Sequence, residues 1–145
     1  MNNEAVRKLK IETYPNRLVL HKPDDVDDLS GLSFDTEITK DAYDMILIFV
    51  FSLDDFIEKR KQVIEKNLLD KDGVLYLAYP KKGNKRYTHY IGRDDFFIPE
   101  VMDEEGFAPN SSLKFVKMVS FNDTFTVLGL KHKKKTPTKS TEYDI

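Results

Sequence analysis

Between residues 81 and 93 the chain reads KKGNKRYTHYIGR, with five basic residues, no acidic ones and two tyrosines. Lys81, Lys82, Lys85, Arg86 and Arg93 are the residue types that contact phosphates and carboxylates. Tyr87, Tyr90 and His89, with Tyr79 just upstream, offer rings that stack on a base or another flat group. Gly83 and Gly92 free the backbone between them. Cations interleaved with aromatics suit a small anion, a single-stranded nucleic acid or an acidic protein partner. A solvated loop whose lysines keep the protein soluble is the simplest account of the same residues.

Other chemistry finds less support. His21, His89 and His132 are widely spaced and lack the paired spacing of a zinc site. Thiolate chemistry and disulfides are excluded, because there is no cysteine. No G-x-S-x-G elbow or phosphate-binding Walker sequence is present. His89 with Asp94 or Asp95 could pair a base with its orienter, but an exposed loop histidine is the simpler reading. No catalytic residue, cofactor or metal is assigned.

The elements that must position the basic loop lie immediately before it. Met45 to Phe51 is an unbroken apolar run, the pattern of a strand buried on both faces. Ser52 is a helix N-cap, with Asp55 in a capping-box position. Leu53, Phe56, Ile57, Ile64 and Leu68 then share one helical face, and Glu58, Lys59, Lys61, Glu65 and Lys66 fill the rest. Residues 70–73 read as a turn, with Gly73 free to take a positive φ. Val74 to Tyr79 is a second buried strand. Strand, helix and strand in this order predict a parallel crossover. In open sheets of this type ligands sit beyond the carboxyl ends of the strands, where loop 81–93 begins.

Elsewhere the signals are shorter. Val6 to Ile11 suggests a helical lead-in, and Arg17 to His21 a first strand. Residues 22–32 form an acidic loop with one helical turn, and residues 33–39 a short strand. Asp94 or Asp95 starts a helix over residues 96–105, which Gly106 ends. Leu113 to Ser120 and Phe125 to Lys131 read as an antiparallel pair joined by turn residues Asn122 and Asp123. Residues 1–131 are expected to form one domain, and residues 132–145 a basic, disordered tail. Lys131 to Lys135 could touch nucleic acid or an acidic membrane, although a solvated terminus is the simpler account.

Length and composition set the bounds. A chain of 145 residues can bury about two-thirds of its unfolded surface in one core. Ten Phe and seven Tyr supply an aromatic interior without tryptophan. The net charge of −2 hides strong banding, since residues 81–93 carry +5 against an acidic body. Banding of that kind points to a local anion contact. The N-terminus lacks the apolar stretch of a signal peptide, and no run is long enough to span a bilayer. A cytoplasmic protein with no membrane contact is expected.

One resemblance joins these pieces. Tyr43-Asp44 precedes the apolar strand, and Gly73 to Lys82 reads GVLYLAYPKK. Arg93-Asp94, Glu105-Gly106-Phe107 and Phe121 to Leu128 (FNDTFTVL) follow. Across residues 17–131 this pattern resembles a family of small bacterial proteins of unknown function with a reduced, methyltransferase-like fold. The resemblance implies a Rossmann-like α/β domain and no established activity. The expected fold is thus a mostly parallel sheet of five or six strands with flanking helices and a closing antiparallel hairpin. An S-adenosylmethionine site would need a glycine-rich turn after the first strand. Here that loop has no glycine before Gly31 and carries Asp24, Asp25, Asp27 and Asp28, which repel the cofactor's carboxylate. Asp35 or Glu37 could at most bind a ribose hydroxyl. The reading is therefore a non-catalytic binding module that contacts an anion through residues 81–93. A degenerate or unusual methyltransferase-like enzyme is the alternative. Filling of the space under loop 22–31 by Leu29, Leu32 and Phe34 would tell against that alternative.

Overall fold

A computed structural model describes residues 4–134. Strands β1 (Arg17–Leu20), β2 (Tyr43–Phe49), β3 (Leu69–Pro80), β4 (Leu113–Ser120) and β5 (Phe125–His132) form one sheet in the order β1-β2-β3-β5-β4. β2 runs parallel to both β1 and β3, whereas β5 runs antiparallel to both β3 and β4. The expected mostly parallel, Rossmann-like sheet with flanking helices is therefore wrong. The sheet is evenly mixed, and β3 is the seam between its halves. Only two α-helices occur among the described residues, α1 (Glu4–Lys8) and α2 (Leu53–Glu65). The physical reason is that one connection alone, that of α2, carries an apolar helical face.

α2 forms where capping chemistry demands it. The Ser52 hydroxyl accepts the Asp55 N–H at 3.0 Å, and the Asp55 carboxylate accepts the Phe51 N–H at 3.1 Å. The reciprocal bond thus reaches one residue further back than in the usual capping box. Phe56 and Val63 are buried, and Leu53, Ile57 and Ile64 pack at the margin. The helix ends at Glu65 with Lys66 as its cap, and Asn67 just beyond takes φ 50°, so this residue and not Gly73 supplies the left-handed turn.

Residues 70–73 are not a turn but part of β3. Tyr43 pairs with Leu69 and Met45 with Val74, so residues 70–73 bulge opposite Asp44 alone. Gly73 is required there because a Cβ would lie 2.6 Å from the Asp44 carbonyl oxygen. Two further expected elements do not form. Residues 33–39 contribute a single bridge, Leu18 to Asp35. Residues 96–105 form no α-helix, only a 3-10 turn at Arg93–Phe96 followed by a turn from Ile98 to Val101. Pro99 and the lack of a continuous apolar face account for this.

Both faces of the sheet are covered. One carries Leu75, Leu77 and Tyr79 against α2 and residues 91–108. The other carries Tyr76, Ala78 and Val127 against α1 and residues 26–34. The Tyr76 hydroxyl donates to the Leu9 carbonyl at 2.8 Å, tying the N-terminal segment down. β5 includes His132, and the Lys133 N–H donates to the Ser112 carbonyl at 2.9 Å. The tail expected at 132–145 otherwise lies outside the described residues from 135 onward. Among the described residues no helix is long and apolar enough to cross a membrane.

Candidate functional site

The basic loop is closed at its base. Ile91 is buried, and its N–H donates to the Pro80 carbonyl at 2.9 Å. The Lys81 N–H donates to Thr124 at 2.9 Å, which anchors the loop to the β4–β5 turn. Asn84 organises the interior. Its amide nitrogen donates to the Lys81 carbonyl at 2.8 Å, and its oxygen accepts the Arg86 and Tyr87 N–H groups at 2.9 and 2.7 Å. Gly83 at φ 85° makes the tight reversal that this pattern needs. The Tyr87 ring packs against Phe51 and Phe125, with centroids 5.4 and 5.9 Å away. Residues 81–90 are thus a compact loop with joined ends, held by its own side chains.

The loop distributes its cations unevenly. Lys82 and Lys85 are exposed and have no ion-pair partner among the described residues. Lys81 donates to the Ser120 hydroxyl at 2.9 Å. Arg86 is ion-paired with Asp25, both side chains remaining exposed. Arg93 lies past the closure and lines a different cleft with Phe97, Phe115 and Met118. Four of the five expected cations therefore share one loop and the fifth does not.

The expected stacking rings also separate. Tyr79 is 3% exposed and packs on Phe96 at 5.1 Å, with burial pushing its phenol up to about 12. It belongs to the core and has no free face for a ligand. The cause is strand parity, since Tyr79 alternates with Ala78 and falls on the α2 face. Tyr87 is half-buried and supports the loop. Tyr90 is 48% exposed, and His89 is exposed with its ring 5.8 Å from that of Tyr87.

Next to Arg86 an acidic cleft of about 350 Å³ opens between residues 25–28 and the β4–β5 turn. Asp25, Asp27, Asp28 and Asp123 line it. The Asn122 amide donates to Asp28 at 3.0 Å and clamps its two walls together. Asn122 also accepts the Thr124 and Phe125 N–H groups, both at 2.9 Å. The turn chemistry of Asn122 is legible in the sequence, whereas its link to Asp28, 94 residues away, carries no local signal.

The space in which a nucleoside would lie under loop 22–31 is occupied. Val26 and Leu29 are buried, and Leu32 and Phe34 pack beside them. Asp35 faces its own loop. Its carboxylate accepts Tyr43 Oη at 2.6 Å, Thr39 Oγ1 at 2.8 Å and Lys40 Nζ at 3.1 Å. These bonds, the tyrosine's first, hold it well below the usual carboxylate range, at about 2. His132 bonds Ser112 through Nδ1 at 2.7 Å and lies far from the loop histidine in sequence. Among the described residues no three His, Cys, Asp or Glu side chains are arranged to hold a metal ion. No protein-family model matches the chain, and no curated protein matches it in sequence.

Proposed function

We propose that the protein is a non-catalytic binding module whose contact element is the closed loop 81–90. The observation that carries this reading is the pinned frame, in which Asn84, Tyr87 and Ile91 fix the backbone while Lys82, Lys85, His89 and Tyr90 face solvent. A fixed loop presents cations at a lower ordering cost than a mobile one. Lys82 and Lys85 are its primary anion contacts, and Lys81 supports them from the base. Arg86 joins when an incoming anion displaces Asp25, because an exposed ion pair is worth only about 0–1 kcal/mol. Arg93 is a contact only for a ligand that extends around the loop's base. Tyr90 supplies the stacking face, and Tyr87 holds the loop beneath through Phe51 and Phe125.

The ligand class is a small anion or an acidic protein surface, with single-stranded nucleic acid the less favoured member. The cysteine-free sequence agrees with action in the bacterial cytoplasm. The short likeness of Gly73 to Lys82 to small bacterial proteins of unknown function belongs to the same proposal. The methyltransferase-like alternative has less support, because apolar side chains fill the nucleoside space and carboxylates line the nearest opening.

Thermal shifts test the proposal. The panel is S-adenosylmethionine, its demethylated product, nucleotides, inorganic phosphate and short single-stranded DNA, each at low and moderate salt. A ligand at one hundred times its dissociation constant adds about 2.7 kcal/mol. The expected result is a salt-sensitive shift with anions that Lys82→Ala/Lys85→Ala removes. A salt-insensitive shift with S-adenosylmethionine that survives this double variant would replace the proposal with the enzyme reading.

A further inference from the structure

The sheet has two edges, and they are treated differently. At β1 the edge is covered, because the Val19 N–H donates to the Asp35 carbonyl and the Asp35 N–H to the Arg17 carbonyl, both at 2.9 Å. At β4 only the first half is covered. The Ala108 N–H donates to Leu113 at 2.8 Å, and the Phe115 N–H to Gly106 at 2.9 Å. From 116 to 120 no backbone hydrogen bond among the described residues reaches the outer side. The Phe121 N–H points inward to Phe125, so by strand alternation Met118 and Ser120 present their N–H and C=O groups outward.

An apolar cleft of about 310 Å³ lies beside this open stretch. Phe97, Met102, Phe115 and Met118 line it, and Arg93 brings positive charge to it, while the Lys117 stem lies over Gly129 beside Tyr76 on the opposite face of the sheet. Phe97 is 62% exposed and Met118 is 44% exposed, which is unusual for side chains so large. Neither cation has an ion-pair partner among the described residues. Open ladder groups, an apolar seat and unpaired cations are together the components of strand addition.

We infer that residues 116–120 of β4 accept an extended, acidic peptide segment of a partner protein as a sixth strand. Its backbone pairs with Met118 and Ser120. One apolar side chain seats against Phe97 and Met118 with an acidic one beside Arg93, and an acidic side chain on the other face of the added strand meets Lys117. A second copy of the chain fits this edge poorly. Two-fold pairing of residues 116–120 with themselves would bring two Lys117 onto one short ladder, and edge lysines oppose such pairing. The same lysines attract an acidic strand. This site meets loop 81–90 where Lys81 donates to the Ser120 hydroxyl, and it does not depend on the function proposed for that loop.

A phage-displayed library of random dodecamers, selected on the immobilised protein, tests the inference. The expected consensus alternates apolar residues and includes Asp or Glu. Titrated into ¹⁵N-labelled protein, the consensus peptide should shift the amides of Met118 and Ser120, slow their exchange and leave those of 82–90 unchanged. Phe97→Ala should weaken it at least tenfold. Arg93→Glu/Lys117→Glu should turn the selected consensus basic. Phe97 is exposed, so its variant decides the matter alone if the charge-reversed protein fails to fold. No enriched consensus, a basic consensus on the wild-type protein or shifts confined to 81–90 would each overturn the inference. Sedimentation showing self-association through β4 would overturn it in favour of a second copy.

Discussion

Between β2 and β3 the chain runs through α2, and between β1 and β2 it runs through residues 21–42 without a helix. Both connections join parallel neighbours and both cover a face of the sheet. The helix satisfies its own backbone and needs only an apolar stripe. Residues 21–42 must find partners for their polar groups elsewhere. Charged side chains supply many of them. Arg17 donates to the Ser33 carbonyl at 3.0 Å. Lys22 donates to those of Pro23 and Val26, each at 3.1 Å. Asp35 gathers Tyr43, Thr39 and Lys40. One connection therefore stands on apolar area alone, and the other adds charge to its buried Val26 and Leu29. The first should be indifferent to pH, and the second should respond to it.

The largest expected effect comes from the helical side. Phe56 is fully buried and packs on Phe96 and Phe115, with centroids 5.1 and 6.3 Å away. Phe56→Ala should cost about 3–5 kcal/mol. At about 3–4 °C per kcal/mol for a chain of this size, the melting temperature should fall by roughly 9–20 °C. Calorimetry at pH 5 and pH 8 should give the same loss. A loss that changes with pH would break the assignment of this side to apolar burial.

Arg60 sharpens the comparison because it is a charged anchor on the apolar side. It is 3% exposed, and its guanidinium donates to Val101 at 2.6 Å and Glu100 at 3.2 Å while lying 5.4 Å above the Phe56 ring. Burial pulls its pKa down to about 10, so it stays charged at neutral pH. It fastens residues 98–102 to α2 without a carboxylate. Arg60→Ala orphans a buried carbonyl and removes the packed stem, and should cost about 2–3 kcal/mol. Arg60→Met keeps the stem and should cost about half as much. Equal melting temperatures for the two variants would show that the hydrogen bonds, and not the stem, carry the anchor.

The same division explains which parts of the molecule were legible in the sequence. β2, α2 and the last two strands announce themselves through apolar periodicity and caps, which are local signals. The sheet's mixed character was not legible. Whether β5 runs with or against β3 is decided by pairing across some fifty residues, and a likeness to parallel-sheet proteins tilted the expectation the wrong way. Residues 33–39 alternate like a strand, yet the Asp35 carboxylate is worth more turned to Tyr43 and Thr39, and only one bridge forms. Arg60 was unmarked because an arginine at that position of α2 looks like one more solvent-facing charge. For the candidate site, the basic loop was visible in composition, whereas its uneven sharing was not. Tyr79 went to the core by strand parity, Arg86 to Asp25 by a long-range contact, and Arg93 past the loop's closure.

The smallest effect should appear on the connection built on charge, and only in acid. Asp35 sits at about 2 in the folded protein, below its ordinary value, because it accepts bonds from Tyr43, Thr39 and Lys40. A depressed carboxylate contributes its full share of stability above its unfolded pKa, near 4, and loses it as pH falls toward 2. Residues 35–43 should therefore loosen in that window before the helical side does. Protection of the Val19 and Thr39 amides should fall from pH 4 to pH 2, since the first bonds the Asp35 carbonyl and the second the Tyr43 hydroxyl. Exchange of Phe56, whose N–H donates to Ser52 inside α2, should change only by its intrinsic acid dependence. Asp35→Asn should remove the difference by leaving both connections equally indifferent to acid. If the two sets of amides loosened together in the wild-type protein, the connections would form one cooperative unit, and the contrast between area and charge would not describe how the sheet comes apart.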